Sequence, residues 1–286
     1  MQAFLKNLSL GALTVGGLSI SLFLSGCGSS FMGVALQSMT VSKVDDYFDL
    51  ESSQKDQISK DVEKDLKEIR QDVFPQVARS LRELDVQFSS KDGVQTPLIA
   101  KIFEDSESYF KKITLKFENT ALKLSTTLSE KQFQHFAEEV RENIEDSKED
   151  TDSAAGALKQ SMKRYTKTIE FWVGNISRDQ KNRLREFLKA HPYPWALQNK
   201  SKQAVLDQFL NSRKNPDDLK KFVKAFAADF EVYRLPEFNQ ALDAHQAAFQ
   251  EFFVKTFWPT IEAKQKQELK ENLISRAETL EKLARN

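Results

Sequence analysis

The sequence predicts an all-α protein, a multi-helix bundle or array of roughly eight to nine helices with no sheet, after a signal peptide that is cleaved. Glycine and proline indicate this fold class. Of the nine glycines, five lie between positions 11 and 28, which leaves too few for the turns of a sheet protein of 286 residues. The seven prolines lie mainly between segments of helical periodicity, where a missing N–H is tolerated at a helix start.

Helical periodicity is strongest in four segments of the chain. Apolar and small side chains recur every three to four residues in each segment, which places them on one face of a helix. This spacing is typical of long helices packed at shallow angles. The four stripes are Ile99, Phe103, Ser106, Phe110, Ile113, Phe117, Ala121, Leu124 and Leu128; Ile144, Ser147, Thr151, Ala155, Leu158, Met162, Tyr165, Ile169 and Trp172; Leu219, Phe222, Val223, Phe226, Phe230 and Tyr233; and Phe238, Ala241, Leu242, His245, Phe249, Phe252 and Phe253.

A short pattern marks predicted helix starts. Residues 50–54, 128–132 and 176–180 each begin with an apolar residue, contain a serine within two positions and end in glutamine. In the second and third copies the serine lies three residues before the glutamine, which is the spacing of a capping box preceded by a hydrophobic staple. Pro259-Thr260 followed by Gln265 is a degenerate fourth copy. We interpret the copies as independent helix caps. An internal repeat is the alternative, but the intervals are too uneven for a solenoid.

The N-terminal segment has the three-part layout of a secretory signal. One positive charge, Lys6, precedes an uncharged apolar run from Leu8 to Leu24, and small residues follow it. The run is short and glycine-rich against the ~20 residues that a membrane-spanning helix needs. We therefore expect residues 1–26 to be a signal peptide that is removed.

The tetrapeptide Leu24-Ser25-Gly26-Cys27 resembles the lipobox of bacterial lipoproteins. The resemblance implies cleavage between Gly26 and Cys27 and a diacylglyceryl group on Cys27, the only cysteine of the chain. Gly28, where an aspartate would favour the inner membrane, points to the outer membrane of a Gram-negative envelope. Plain secretion and an uncleaved anchor are the alternatives. We expect residues 27–30 to be a short lipidated spacer and residues 31–286 a single helical domain in the periplasm, close to the bilayer.

Charge and composition exclude some partners. Removing residues 1–26 takes away one lysine and no acid, which leaves 41 Lys and Arg against 42 Asp and Glu. This balance offers no basic excess for nucleic acid, so we expect no nucleic-acid partner. The 22 phenylalanines and an apolar fraction of 40% are sufficient for a large core.

Several short sequence motifs together resemble those of a known family. They are residues 46–50 with Gln54, Phe74-Pro75 before Leu81, Leu128-Ser129 with Gln132, and the stretch 170–177 with Gln180, which contains Trp-Val-Gly-Asn-Ile-Ser. With the lipobox, they resemble a family of Gram-negative lipoproteins classed only as a domain of unknown function. The resemblance implies an all-helical envelope lipoprotein and supplies no catalytic residues.

The sequence contains no recognisable catalytic or metal-binding pattern. His135, His191 and His245 are far apart, and His245 lies on an apolar helical face, where a core histidine is the simpler interpretation. Residues 150–152 match the start of a calcium-binding loop, but the residues that follow lack the required glycine and the closing glutamate. We therefore expect no metal and no cofactor.

Lytic transglycosylases are the enzymes to consider, because all-helical outer-membrane lipoproteins include them. They use a Glu-Ser dipeptide with a glycine-containing partner motif. The chain has Glu51-Ser52 and Glu107-Ser108, but a helix start explains the first, the second lies within a periodic helix, and the partner motif is missing. We expect no enzymatic activity.

The segment His191-Pro192-Tyr193-Pro194-Trp195 alternates prolines with aromatic residues between two predicted helices. Tyr193 and Trp195 are candidate partner-contact residues, with a lid packed over the helix ends as the favoured alternative. The leading functional hypothesis is a non-enzymatic lipoprotein that binds an envelope protein as a scaffold or assembly accessory. A helical carrier of a hydrophobic or amphiphilic ligand is the second, and a peptidoglycan-cleaving enzyme the third.

Overall fold

The computed structural model describes residues 29–90 and 93–285, with side chains from residue 34 onward. The predicted signal peptide, its cleavage site at Gly26 and the lipidation site Cys27 lie outside the described residues. None of the helices within these residues combines the length and the hydrophobicity needed to cross a bilayer.

The described residues form twelve α-helices and no strand. The helices are α1 (Ser29–Phe48), α2 (Ser52–Asp72), α3 (Phe74–Phe88), α4 (Thr96–Lys116), α5 (Glu118–Thr127), α6 (Glu130–Thr151), α7 (Ala154–Val173), α8 (Arg178–Ala190), α9 (Trp195–Ser212), α10 (Pro216–Ala228), α11 (Pro236–Phe252) and α12 (Ala263–Arg285). A π-helical turn, Phe253–Phe257, and a 3₁₀ turn, Trp258–Thr260, connect the last two.

The all-helical class is confirmed, but the predicted number of eight to nine helices is wrong. Some breaks between helices are a single residue long and leave the apolar stripe in phase. Phe117 separates α4 from α5 with φ −84° and ψ 0°, yet it continues the predicted stripe from Ile113 to Ala121. Val73 separates α2 from α3 in the same way, and Pro75 follows it in the first turn of α3. Periodicity detects the continuous buried face and misses such bends.

The break between α6 and α7 also lies inside a predicted continuous stripe. Ser153 caps α7, and its hydroxyl accepts the backbone N–H of Gly156. A Cβ on Gly156 would lie 2.6 Å from the carbonyl oxygen of Asp150. The small residues of this segment therefore serve the turn between two helices.

The capping boxes predicted at Ser129 and Ser177 are confirmed, and the glutamines of the four copies form two pairs. Gln54 Nε2 donates to Gln132 Oε1 at 3.2 Å, and Gln132 Nε2 donates back to Gln54 Oε1 at 2.6 Å. Gln180 and Gln265 exchange the same two hydrogen bonds at 2.8 and 3.0 Å. Each pair joins the first turns of two helices that are distant in sequence.

The two pairs reveal a repeated helix order. The paired glutamines lie in α2 and α6 of the first six helices, and in α8 and α12 of the second six. In both sets the first helix packs against the second and the sixth. The third helix crosses to the sixth helix of the other set, and these two pairs, α3 with α12 and α9 with α6, are the most extensive contacts between helices. This arrangement favours an internal repeat, the alternative to independent caps.

The side-chain packing around these two helix pairs differs. Around α6 and α9, aromatic rings pack against one another: Phe48 stacks on Phe136 with centroids 4.7 Å apart, and Phe136 meets Phe209 edge to face at 5.1 Å. Around α3 and α12 lies the larger buried core, and beside that core lies a cavity.

Candidate functional site

A cavity of about 500 Å³ lies between α3, α4, α7, α11 and α12. Although α3 and α4 are consecutive in the chain, their backbones stay apart along most of their length. Exposed residues line the cavity on both sides of this gap: Glu83 and Gln87 on α3, and Lys101 and Glu104 on α4. The gap is therefore the mouth of the cavity, which we call the α3–α4 cavity.

The walls of the cavity are mostly apolar. They come from the stripes that the sequence predicts as core, because those faces of α4, α7 and α11 turn toward the same space. On α7 the lining extends from Arg164 to Val173, a rise of about 14 Å along the helix. The apolar walls include Phe88, Phe103, Ile169, Trp172, Phe249 and Leu273.

The π-helical turn shapes the apolar end of the cavity. Phe253, its first residue, and Trp258, the residue after it, both line the cavity. The rings of Phe88 and Trp258 lie 5.2 Å apart and connect α3 with this turn. π-helical turns occur frequently at functional sites.

Arg164 lies at the opposite, polar end of the cavity. Its guanidinium lies 4.8 Å from the ring centroid of Tyr193 and 5.7 Å from that of Trp195. Trp195 is held in turn by a 2.9 Å hydrogen bond from its Nε1 to the hydroxyl of Ser161. The side chain of Tyr193 accepts a 3.0 Å hydrogen bond from Gln198 Nε2. The two rings thus fix the direction in which Arg164 presents its charge.

A second set of charged residues lies at the polar end, and its positive and negative side chains pair with one another. Arg234 is paired with Glu231, and its side chain is only 6% exposed. Lys111 contacts Glu107 at 2.6 Å, Asp229 at 3.2 Å and Glu231 at 3.6 Å. Burial raises the pKa of Glu231, against the opposing charge of Arg234, and Glu107 raises it further.

A histidine and a tyrosine form the wall behind this end. His245 is 5% exposed, and its Nε2 lies 2.5 Å from the hydroxyl of Tyr165, with which it shares a hydrogen bond. Burial lowers the pKa of His245 to about 4, and the positive charge of Arg164 contributes to the shift. The imidazole is therefore neutral at ordinary pH.

Lys202 on α9 is a buried cation near Arg164. It is 8% exposed and has no ion-pair partner within the described part of the chain. Burial, with a contribution from the positive charge of Arg164, lowers the pKa of Lys202 to about 8. A buried lysine without a counter-ion is unusual in a folded protein.

One family matches the chain. It is a family of unknown function, DUF6279, and the match covers residues 46–231, more than half of the chain. The chain belongs to this family. The DUF6279 match contains the walls of the cavity from α3, α4 and α7, while α11 and α12 complete it beyond the matched range. No curated protein and no solved structure matches the chain.

The DUF6279 chain brings together some of the residues singled out in its sequence and separates others. Tyr193 is 4% exposed and lines the cavity, while Trp195 is half-buried against Arg164. These contacts agree with the lid over the helix ends. Glu51 caps α2, whereas Glu107 lies in the cavity wall and pairs with Lys111.

Nothing in the sequence marks three charged residues that lie in or near the cavity of this DUF6279 chain. Arg164, Lys202 and Arg234 stand in ordinary helical or loop sequence, and only the fold shows that the first and third line one space. Within the described residues no group of three or more His, Cys, Asp or Glu side chains is placed to hold a metal ion.

Proposed function

We propose that the protein binds a single hydrophobic chain in the α3–α4 cavity, as a carrier or binding protein of the bacterial envelope. The cavity itself is the observation that carries this proposal. Protein interiors are close-packed and contain few voids larger than a water molecule, so an apolar space of about 500 Å³ is not a packing defect.

The size of the cavity fits one acyl chain. Ligand pockets commonly measure about 300–1,000 Å³, and the α3–α4 cavity lies within this range. A methylene group occupies about as much space as a water molecule, roughly 30 Å³, so the cavity corresponds to about 16 methylene groups. Burial of each methylene contributes ~0.8 kcal/mol, so affinity should rise about fourfold per added carbon until the cavity is filled.

The cavity favours a carrier function over the scaffold function that the sequence favoured. A carrier needs an apolar site for its ligand, and the cavity provides one. It also favours binding over catalysis. Glu107, the glutamate of one Glu-Ser dipeptide, is held by Lys111, which stabilises the carboxylate and opposes a role as a proton donor.

The proposal includes the lipid anchor expected from the lipobox. A diacylglyceryl group on Cys27 would hold the protein to the outer membrane, with its body in the periplasm. Because α1 begins at Ser29, this anchor would place the helical body near the bilayer, where acyl chains are available. A Cys27→Ser variant should no longer incorporate labelled palmitate and should leave the outer-membrane fraction. Retention of the variant in that fraction would contradict this part of the proposal.

Ligand binding can be tested with one cavity variant and one matched control. Thr168 lines the cavity in the middle of α7, so Thr168→Phe should fill the space. Thr126 is exposed on α5 and accepts the same substitution outside the cavity. We expect titration with a fluorescent 16-carbon chain to show saturable binding to the wild type and to Thr126→Phe, and at least tenfold weaker binding to Thr168→Phe. Equal binding by all three proteins would overturn the proposal.

A further inference from the structure

We propose that one exposed face of α1 lies in the surface layer of the bilayer to which Cys27 would be anchored. This face, which we call the α1 face, consists of Val34, Ala35, Ser38, Met39 and Ser42. The inference rests on the lipid anchor of the proposed function and is independent of the ligand in the α3–α4 cavity.

The α1 face is exposed and carries no charge. Its five residues lie within an arc of about 140° around the helix, because successive residues are about 100° apart. No residue from Ser29 to Ser42 is charged, although charged residues make up 29% of the chain. Val34 is 66% exposed and Met39 38%, and they are two of the five exposed large apolar side chains in the described residues. The solvent side of a helix normally carries charged residues, so this face suits a less polar environment than water.

The other side of α1 is packed against the protein. Leu36, Val41 and Val44 contact the large core. Gln37 Nε2 donates to the carbonyl oxygen of Ser59 on α2 at 2.9 Å and to its hydroxyl at 3.0 Å. These contacts fix the rotation of α1 about its own axis. The α1 face therefore points away from the helical body.

The position of the anchor selects the bilayer as the surface that covers this face. Only Gly28 separates Cys27 from Ser29, where α1 begins. The two steps from Cys27 to Ser29 span about 7 Å at most, and the helix rises about 7.5 Å from Ser29 to Val34. Val34 therefore lies within about 15 Å of the lipid-bearing residue. An anchor at Cys27 brings the beginning of the α1 face to the surface of the membrane.

A protein partner fits the α1 face less well than a bilayer does. Protein interfaces depend on a few large anchoring side chains, especially Trp, Tyr and Arg, and the α1 face has none of these. It offers Val34 and Met39 among small residues. Binding at a membrane surface depends on the apolar area that is buried and needs no partner of matching shape.

Charge returns at the far end of α1 and limits the contact with the membrane. Asp46 is exposed on the same side of the helix as the α1 face, and Lys43 pairs with it at 2.9 Å. Asp49, directly after the helix, is exposed as well. Moving an ion pair out of water is costly, and the negative surface of a bilayer repels an aspartate. The helix therefore leaves the membrane surface between Ser42 and Asp46.

Single-cysteine probes test this placement on the lipidated full-length protein. The lipid consumes the thiol of Cys27, so an introduced cysteine is the only free thiol. Val34→Cys carries an environment-sensitive fluorophore on the α1 face, and Asp46→Cys carries it at the far end. Val232→Cys is the matched control, because this valine is 51% exposed in a loop beside the charged Glu231. Each labelled protein is reconstituted into vesicles of phosphatidylethanolamine and phosphatidylglycerol that contain a lipid with a nitroxide near the top of one acyl chain.

We expect the nitroxide to quench the probe at position 34 at least about threefold more strongly than the probes at positions 46 and 232. Equal quenching at positions 34 and 232, with the protein still bound to the vesicles, would overturn the assignment of the α1 face. Strong quenching at position 46 would overturn the point at which the helix leaves the membrane. If the protein did not stay with the vesicles, the lipid anchor would fail and this inference with it, while ligand binding in the cavity would be unaffected.

Discussion

The hydroxyl groups of Ser80 on α3 and Tyr109 on α4 lie 2.6 Å apart and share a hydrogen bond. Tyr109 also donates to the carbonyl oxygen of Gln76 at 3.4 Å. Lys112 Nζ on α4 also donates to Gln76 Oε1 on α3 at 2.6 Å, so a small set of side-chain hydrogen bonds joins the two helices across the mouth of the cavity. Loss of the hydroxyl should let the gap between the helices open more often.

Tyr109→Phe should therefore release a bound fluorescent chain faster. A hydrogen bond of this kind contributes ~0.5–1.5 kcal/mol, so the rate of release should rise by about twofold to tenfold. Stopped-flow displacement measures this rate. Tyr233→Phe is the matched control, because the ring of Tyr233 stacks on Phe222 away from the mouth. An unchanged release rate in Tyr109→Phe would show that the hydrogen bond does not hold the mouth closed.

The buried amide pair of Gln180 and Gln265 should be a major source of stability. Gln180→Leu removes both hydrogen bonds between the two buried amides and leaves Gln265 only its bonds with Asn175 and Glu262, which should lower the free energy of unfolding by about 1–3 kcal/mol. The double variant should lose less than the sum of the two single variants, because both remove the same hydrogen bonds. Urea unfolding measures these values. Gln208→Leu, at an exposed glutamine of α9, should change little.

An additive double variant would contradict this coupling between Gln180 and Gln265. The corresponding pair, Gln54 and Gln132, is more exposed, and the same substitutions there should have a smaller effect.

The caps show how far local sequence predicts this fold. A capping box is a contact between residues three apart, so Ser129 with Gln132 and Ser177 with Gln180 could be predicted from spacing alone. The pairing of Gln180 with Gln265 joins residues 85 apart and depends on the tertiary structure. The predicted number of helices was wrong for a related reason. At Phe117 the helix is interrupted, while the half-buried side chain still packs against the core.

The cavity could not be predicted because the sequence cannot distinguish a filled apolar face from a hollow one. Ile99, Phe103, Ile169 and Phe249 follow the same period as residues that pack tightly elsewhere. Whether such faces meet or stay apart depends on how α3 and α4 are held at their ends. Likewise, nothing in the sequence distinguishes Arg164 from another helical arginine, because its contact with Tyr193 joins residues that lie 29 positions apart.

His245 should make the protein sensitive to acid. Its pKa is about 4 in the folded protein and near 6.5 in the unfolded chain, so the unfolded state binds the proton more readily between these values. The stability that depends on a neutral His245 is complete above pH 6.5 and is lost as the pH falls toward 4, by up to about 3 kcal/mol.

His245→Gln should therefore show a smaller fall in unfolding free energy between pH 7 and pH 4 than the wild type. His135→Gln, at a half-buried histidine of α6, is the matched control and should keep the wild-type profile. Denaturant unfolding at several pH values measures the difference. If His245→Gln lost as much stability as the wild type over this range, the acid sensitivity would have to come from other groups.

Lys202 should lower the stability of the folded protein. Its pKa is about 8 in the folded protein against an ordinary value of 10.5, so the folded state disfavours the charged form. The penalty is complete below pH 8 and disappears as the pH rises from 8 toward 10.5. At pH 7, Lys202→Met should be more stable than the wild type by about 1–3 kcal/mol, since the methionine buries no charge. Lys200→Met, at the exposed lysine two residues earlier on α9, should change little.

Denaturant unfolding at pH 7 and at pH 10 measures this difference. The advantage of Lys202→Met should be largest at pH 7 and should shrink at pH 10, because the wild-type lysine is then largely neutral in the folded protein. If the two proteins were equally stable at pH 7, the burial of Lys202 would carry no penalty.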